Sequence, residues 1–164
     1  MTPEHAAMSS SITLRPATPE DSAFLQELFA STRDEFKMLI ADEGQLAALI
    51  TMQFNFQRQQ FRDGYPESKD NLVLLDEKPI GRLLVDEGDP VTLVDVALLP
   101  AYRNRGIGRQ LLDDLLAQAG RARKAVRLQV VKTNPARHLY ERLGFRQVSE
   151  DSVYCKMICE PQDR

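Results

Sequence analysis

The most informative part of this chain is residues 98–109, which read LLPAYRNRGIGR. An apolar segment typical of a strand, from Val91 to Leu99, leads into it. An apolar stripe at helical spacing follows it, formed by Ile107, Leu111, Leu112, Leu115 and Leu116. The order of these three parts predicts a strand, a tight glycine turn and then the start of a helix.

The glycine turn has the chemistry of an anion-binding site. The first amides of a helix have no partner within that helix, and the helix dipole places positive potential there. Gly106 and Gly108 carry no Cβ atom, so a bulky phosphate can approach the backbone. Arg103, Arg105 and Arg109 add positive charge, although the same arginines also fit a solvated surface. We interpret the turn as a pyrophosphate cradle.

Length and composition favour one globular domain. The chain has 164 residues, of which 43% are hydrophobic and 27% charged, so it can build both a core and a solvated surface. We expect a flexible N-terminal tail over residues 1–11, a single domain over 12–159 and a C-terminal tail over 160–164.

Charge and hydropathy restrict the partners and the location. The net charge of −3 argues against a general nucleic-acid binder, which usually carries a basic excess. No apolar run approaches the roughly 18 residues of a membrane span, and no secretory segment follows Met1. We therefore expect a cytoplasmic protein with neither a nucleic-acid nor a membrane partner.

The two cysteines predict neither a disulfide nor a metal site. Cys155 and Cys159 are four residues apart in a segment that reads as a strand, which places them on the same face about 13 Å apart. That separation is too long for a disulfide. With two histidines and no Cys-x-x-Cys pair, we expect no metal site.

The periodicities predict the element order β-α-α-β-β-β-α-β-α-β. The first helix starts at Thr18-Pro19-Glu20-Asp21, and the second runs from Asp42 to Arg62. The predicted strands are residues 12–15, 71–76, 80–86, 91–99, 126–131 and 153–158, with a hairpin turn at 77–79. Gly120 is placed as the stop of the third helix, and the fourth begins after Asn134 and ends at Gly144.

Two familiar phosphate-binding loops do not fit the glycine turn. A P-loop ends in Gly-Lys-Ser/Thr, but here Gly108 is followed by Arg109 and Gln110. A dinucleotide fingerprint needs a third glycine or an alanine at position 111, where this chain has Leu111. The remaining pattern is Arg-x-x-Gly-x-Gly behind a strand that ends in Ala-Leu-Leu-Pro.

This pattern, together with a second one, resembles the GNAT family of N-acetyltransferases. Arg103, Gly106 and Gly108 match the pyrophosphate motif of the family, Gln/Arg-x-x-Gly-x-Gly/Ala. Residues 134–145, NPARHLYERLGF, are similar to its second signature, an asparagine, a helix and a tyrosine before Gly-Phe. The resemblance covers most of residues 12–158. It implies an α/β (α+β) GNAT fold with a mixed, mostly antiparallel central sheet and helices on both faces.

The resemblance implies acetyl-CoA as the cofactor. In such proteins the strand before the turn separates from the next parallel strand, and the pantetheine arm enters the gap. The resemblance implies that Val96, Ala97 and Leu98 of this chain bind the arm and the thioester. It implies that the pyrophosphate is bound by Asn104, Arg105, Gly106, Ile107, Gly108 and Arg109. Arg103 and Asn134 complete the expected cofactor-binding residues. Many members place the tyrosine seven residues after the asparagine, whereas here the interval is six, so Asn134 also fits a simple helix cap.

Two residues are the catalytic candidates. Tyr140 matches the tyrosine that protonates the departing thiolate in the family, and a phenol with a pKa near about 10 suits that transfer. Its spacing with Leu139 and Leu143 also fits a core tyrosine. Asp95 lies in an apolar strand, where a carboxylate must be satisfied or functional. It fits the base that deprotonates the amine or a structural acceptor for nearby amides.

Other polar residues are weaker candidates. Glu35 and Glu87 fit a base or plain surface acids, and His138 is expected to face solvent. A basic cluster fits the cations that a helix end favours and consists of Arg121, Arg123, Lys124 and Arg127.

A segment rich in Met, Phe and Gln, from Met52 to Phe61, fits either core packing or the wall of an acceptor pocket. We expect Phe54 to point inward and Gln53 and Gln57 to lie nearer the pocket.

The predicted function is transfer of an acetyl group from acetyl-CoA to a primary amine, by direct attack in a ternary complex. The alternative is a non-catalytic acyl-CoA-binding or regulatory module of the same fold. The acceptor is a small-molecule amine or a peptide amine. A narrow pocket walled by Met52, Phe56 and Tyr65 favours the former, and an open groove favours the latter. A homodimer is considered because dimers are common in the family.

Overall fold

The computed structural model describes residues 11–162. Its strands are β1 Ile12–Pro16, β2 Lys69–Leu75, β3 Lys78–Asp86, β4 Val91–Leu98, β5 Val126–Val131, β6 Arg146–Glu150 and β7 Tyr154–Cys159. Its α-helices are α1 Ser22–Ala30, α2 Glu35–Leu39, α3 Glu43–Gly64, α4 Ile107–Arg121 and α5 Ala136–Arg142. Apart from residues 11 and 160–162, the predicted tails lie outside the described residues, and the single domain over 12–159 stays a prediction.

The strands form one seven-stranded sheet in the order β1-β2-β3-β4-β5-β7-β6. β1 pairs antiparallel with β2, and β7 pairs antiparallel with both β5 and β6. The pair β4 and β5 is parallel. The predicted fold class, a mixed and mostly antiparallel sheet with helices, is confirmed.

By its contacts the described chain divides into two compact units. The first contains residues 11–66, Asp70–Leu83 and Ala97–Tyr102. Its core joins α1, α3 and β2 through Leu25, Leu28, Phe29, Ile50, Phe54, Leu72 and Leu74. The rings of Phe29 and Phe54 lie 5.7 Å apart between centroids, which locks the two helices together.

The second unit contains Glu67–Lys69, Leu84–Val96 and residues 103–162. Burial alternates along β5 and β7, so that one face carries Val126, Leu128, Val130, Cys155, Met157 and Cys159. The buried stripe of α4, which begins with Ile107 and Leu111, matches the stripe predicted from the sequence. The other face of these strands is exposed at alternate positions.

Several predicted boundaries were wrong for physical reasons. β6 was missed because all five of its residues are exposed, which leaves no hydrophobic alternation to detect. α2 was missed because it is five residues long and contains no buried residue. The hairpin turn lies at Asp76 and Glu77, whose φ angles are 48° and 71°, and β3 already begins at Lys78.

Gly120 does not stop α4, which continues to Arg121. A Cβ atom at Gly120 would lie 2.5 Å from the carbonyl oxygen of Gln162. Position 120 therefore lacks a side chain because the backbone of Gln162 passes close to it. The residue with a left-handed φ after the helix is Arg123, with φ 58°.

Among the helices of the described residues, none combines the length and the apolar character needed to cross a membrane.

Candidate active site

The glycine turn lies between β4 and α4, as predicted. Gly106 has φ 81° and caps the helix, because its carbonyl oxygen accepts the first helical hydrogen bond from the Gln110 amide at 3.1 Å. Asn104 is also left-handed, with φ 59°. The amides of Ile107 to Arg109 are the first of α4, and amides at that position have no acceptor within a helix.

Packing against other protein atoms does not explain why positions 106 and 108 are glycines. A Cβ atom built on Gly106 or Gly108 meets no protein atom within 4 Å, so both would point into open space. At Gly81 a Cβ atom would collide with the carbonyl oxygen of Ala97. Space beside a helix start, with backbone that can be approached closely, fits the pyrophosphate of coenzyme A.

The side chains around the turn divide into one buried anchor and several exposed cations. Ile107 is buried in the core of the second unit and fixes the start of α4. Arg103, Arg105 and Arg109 are exposed, and Arg109 lies 3.8 Å from Asp113 of the same helix. This arrangement leaves positive charge at the surface beside the first turn of α4.

The pairing of β4 with β5 ends before either strand does. β4 and β5 are in parallel register over Val91–Leu93, opposite Val126–Leu128. Within the second unit β4 then continues to Val96 and β5 to Val131, but the register that joins them ends at Leu93. This is the separation of two parallel strands that the family resemblance implied.

The three residues predicted to hold the pantetheine arm are divided between the two units. Val96 ends the β4 segment of the second unit, whereas Ala97 and Leu98 belong to the first. There the backbone of Ala97 and Leu98 packs directly over Gly81 of β3. Their predicted role in binding the cofactor stays a prediction.

Tyr140 and Asp95 are neighbours. Asp95 follows the buried residues Val91 and Leu93 at every second position of β4, so it lies on the same face of the sheet as they do. That face also carries Val126 and Leu128 of β5. Tyr140 is 7% exposed, and its ring meets that of Phe145 edge-on, with centroids 5.7 Å apart. Burial, together with the negative charge of Asp95, raises the pKa of Tyr140 to about 12. Tyr140 therefore keeps its proton throughout the neutral range.

Asn134 acts as a cap in the structure. Its side-chain oxygen accepts a hydrogen bond from the Ala136 amide at 2.9 Å, immediately before α5. This is the simpler of the two roles predicted for Asn134. His138, on the same helix, is exposed as expected.

The weaker base candidates lie at exposed positions. Glu87 forms an ion pair with Lys69 at 2.9 Å, and Glu35 is exposed on α2. In the basic cluster, Arg127 donates a hydrogen bond from Nε to the hydroxyl of Thr92 at 2.8 Å. The exposed positions of Glu87 and Glu35 fit plain surface acids. Arg127 lies within β5 and bonds across to β4, so the helix-end interpretation of the basic cluster was wrong for this residue.

The Met, Phe and Gln segment forms part of α3. Phe54 is 1% exposed, which confirms that it points inward, whereas Met52 and Phe56 are exposed. A groove in this unit lies between α1 and α3, lined by Ala23, Gln26, Glu27, Ala30, Glu43, Leu46, Ala47, Ile50 and Thr51. The three residues predicted to wall a narrow pocket do not line it.

Phe145 is the residue whose role sequence reasoning missed. It is buried, and its amide donates to the carbonyl oxygen of Tyr140 at 3.0 Å while its ring packs against the phenol. The signal was present in the chain, because Phe145 directly follows Gly144, where α5 turns back with φ 105°.

The end of the β4–β5 pairing, the glycine turn before α4 and the buried Tyr140 of α5 are the features that the family resemblance led us to expect in an acetyltransferase of mixed α/β fold. Residues 68–147 match the family model described as the acetyltransferase (GNAT) domain. The resemblance to the GNAT family that was drawn from the motifs is confirmed for these residues. The predicted enzyme class and cofactor, an N-acetyltransferase dependent on acetyl-CoA, agree with the acetyltransferase domain that this family model describes.

One curated relative is the ribosomal protein bS18-alanine N-acetyltransferase of Haemophilus influenzae. It is 39% identical over 61 residues, which are 37% of this chain and 42% of the relative. The match thus spans less than half of that enzyme.

Solved structures share the fold over nearly the whole chain. The PaiA N-acetyltransferase of Thermoplasma acidophilum, in complex with coenzyme A, matches with a TM-score of 0.69 at 19% identity, over 92% of this chain and 99% of that one. An acetyltransferase of Thermus thermophilus matches with a TM-score of 0.66 at 22% identity, over 92% and 97%. At these identities the likeness shows the fold.

Proposed function

We propose that this chain transfers the acetyl group of acetyl-CoA to a primary amine, by direct attack of the amine while both substrates are bound. The observation that carries the proposal is the glycine turn before α4. Gly106 and Gly108 present backbone amides next to open space, at a point where no protein atom requires a glycine at position 108. Acetyl-CoA supplies the activated acetyl group as a thioester.

The residues of the turn fit the anionic end of coenzyme A. The amides from Asn104 to Arg109 hold the pyrophosphate, since they combine the start of a helix with unhindered access. The exposed side chains of Arg103 and Arg105 reach further phosphate oxygens, including the 3′-phosphate. The main chain of Val96, at the end of the separated part of β4, holds the pantetheine arm.

Tyr140 holds the proton that the leaving sulfur requires. Because the pKa of Tyr140 is raised to about 12, the phenol is protonated whenever the amine substrate binds at neutral pH. A phenol this weakly acidic donates a hydrogen bond at first and releases its proton only as negative charge develops on sulfur.

Asp95 is proposed as the base that receives the proton of the attacking amine, directly or through water. Its negative charge is one of the two causes of the raised pKa of Tyr140. When Asp95 takes up a proton that charge is removed, so the pKa of Tyr140 falls. Deprotonation of the amine thereby makes Tyr140 a stronger acid at the moment when the sulfur leaves.

The proposed acceptor is an amine, and a peptide amine is the first class to examine. The Haemophilus influenzae relative, by its name, acetylates an alanine of a ribosomal protein. Small-molecule amines are the second class.

A screen of thiol release from acetyl-CoA tests the function. The purified protein is offered peptides with an N-terminal alanine, polyamines, amino acids and small aromatic amines. We expect release above the hydrolytic background with at least one class. Binding of coenzyme A without turnover on any acceptor would favour the alternative, a non-catalytic acyl-CoA-binding module.

A further inference from the structure

The helix that carries Tyr140 is short, and its two ends are held in different ways. α5 has seven residues, which is too few for a helix to be stable without contacts to the rest of the protein. Its end is well packed, because Tyr140 is buried and the buried residues Leu143 and Phe145 follow it. In its first turn, from Ala136 to Leu139, no residue is fully buried. Apolar packing therefore holds the end of α5 more firmly than its start.

Arg137 connects the start of α5 to the sheet by hydrogen bonds. Its Nη1 donates to the carbonyl oxygen of Lys132, just after β5, at 2.9 Å. Its Nη2 donates to the side-chain oxygen of Gln147, in β6, at 3.4 Å. The same oxygen accepts from Sγ of Cys155, in β7, at 3.3 Å. One side chain thus links the first turn of α5 to the end of β5, to β6 and, through Gln147, to β7.

The guanidinium of Arg137 is held in place at a cost. Its Nε–H group is buried and has no acceptor among the described residues. A buried donor without an acceptor is unfavourable, whereas an exposed arginine such as Arg142, at the other end of α5, is free to turn to water. Arg137 keeps its two hydrogen bonds in spite of this cost, which distinguishes it from a solvated surface charge.

Arg137 and Tyr140 are neighbours on the helix. Residues three apart lie on the same side of an α-helix, with roughly 5–6 Å between their Cβ atoms. The same side of α5 therefore carries the hydrogen-bonded guanidinium and the buried phenol. A rotation or a shift of the first turn moves the phenol relative to Asp95, whose charge helps to raise the pKa of Tyr140.

We propose that Arg137 is a positioning residue for the transfer reaction, which fixes the position of the Tyr140 phenol by holding the first turn of α5 against Lys132 and Gln147. The inference rests on the proposed function, in which Tyr140 protonates the leaving sulfur. Arg137 acts through the helix, and no proton passes through it. Displacement of a reacting group by about 1 Å can lower a rate about 100-fold, so the loss of these hydrogen bonds lowers turnover in a protein that is still folded.

A double-mutant cycle with Arg137→Met and Tyr140→Phe tests the inference. Thiol release from acetyl-CoA is measured with the acceptor that gives the highest rate in the screen described above. Arg137→Met keeps a long side chain but removes every donor, so kcat should fall about tenfold while the KM for acetyl-CoA changes less than about twofold. In the Tyr140→Phe background the same substitution should lower kcat no further, because the group that it positions is already absent.

Arg142→Met is the matched control, because Arg142 is exposed on the same helix. It should leave kcat unchanged. Arg137→Lys keeps a donor for the Lys132 carbonyl and should recover part of the rate. Hydrogen exchange followed by mass spectrometry supplies a readout that needs no acceptor. The α5 amides should exchange faster in Arg137→Met than in Arg142→Met, and circular dichroism checks that every variant is folded.

The outcomes separate this inference from the proposed function. An unchanged kcat in Arg137→Met, or unchanged exchange of the α5 amides, would overturn the inference alone. An equal loss in the Tyr140→Phe background would do the same, because a merely structural role lowers the active fraction in both backgrounds. Full turnover in Tyr140→Phe, or no turnover of the unmodified protein with any acceptor, would overturn the proposed function and this inference with it.

Discussion

The two halves of the candidate site differ in what they expose. The glycine turn before α4 presents backbone to open space, and its arginines lie at exposed positions. Tyr140 is buried against Phe145 beside Asp95, and its pKa is shifted. The first half suits the binding of a large anion through amides, whereas the second suits the movement of one proton. Binding and chemistry are thus assigned to separate residues, and substitutions should separate them.

The largest effect is expected at Tyr140. Tyr140→Phe removes the proton donor and keeps the ring that packs on Phe145, so turnover should fall about 100-fold or more while coenzyme A still binds. The measurement is the steady-state rate of thiol release, with calorimetry for affinity. Tyr154→Phe, on an exposed tyrosine of β7, is the control and should leave both unchanged. Full turnover in Tyr140→Phe would remove the assignment.

The next effect is expected at the glycine turn. Gly106→Val adds a β-branched side chain where φ is 81° and where the coenzyme must approach. Affinity for coenzyme A should fall at least about tenfold, which is roughly 1.4 kcal/mol. Titration calorimetry measures it, and an unchanged affinity would contradict the phosphate assignment.

Two controls separate blocked access from backbone strain. Gly106→Asn also adds a Cβ atom, but asparagine tolerates the left-handed region. This variant should therefore fold normally, while its affinity for coenzyme A should be reduced. Gly81→Ala should lower the free energy of unfolding, because its Cβ atom collides with the Ala97 carbonyl. Normal affinity in Gly106→Asn would mean that strain alone explains the valine variant.

A smaller effect of opposite sign is expected at Gly108. It is the second residue of α4, and a Cβ atom there touches nothing, so Gly108→Ala should raise the free energy of unfolding by about 0.5–1 kcal/mol. Because the family motif accepts alanine at this position, Gly108→Ala should leave coenzyme A binding nearly unchanged, whereas the larger Gly108→Val should weaken it. Gly64→Ala, at the end of α3, also faces open space and should leave binding unaltered. Urea unfolding and calorimetry measure both quantities, and unweakened binding in Gly108→Val would count against the cradle.

The smallest expected effect concerns the pH dependence of the reaction rate, which should not decline at alkaline pH. The protonated phenol is the active form, and the pKa of Tyr140 is raised to about 12. The rate should therefore rise as the amine loses its proton and should not fall through ionisation of Tyr140 until the pH approaches about 12. The pH dependence of kcat/KM in the stable range checks this. A descending limb near pH 10 that disappears in Tyr140→Phe would show an unshifted phenol.

The glycine turn was predictable because its signal is local. A strand, Arg-x-x-Gly-x-Gly and a helical stripe are adjacent in the chain, and the structure places Gly106 as the left-handed cap of α4. The sheet class was implied by the resemblance of the two motifs to the GNAT family. Phe54 was predictable because its spacing with Ile50 repeats the helical period.

The remaining features depend on contacts between distant residues. Glycine is the residue type expected just after the end of a helix, which is why Gly120 was predicted to stop α4. The structure shows instead that the backbone of the distant Gln162 leaves no room for a side chain at this position. β6 carries no apolar pattern, because only its backbone pairing with β7 defines it. The closeness of Asp95 to Tyr140, 45 positions apart in the chain, arises only when the chain is folded.

Calorimetric titration with coenzyme A and with pantetheine tests most directly that the turn before α4 binds a pyrophosphate. Pantetheine keeps the thiol and the arm but lacks the phosphates. We predict saturable binding of coenzyme A, at least about tenfold tighter than that of pantetheine, with the difference largely lost in Gly106→Asn. No heat and no thermal stabilisation at saturating coenzyme A, or equal affinity for the two ligands, would contradict the account.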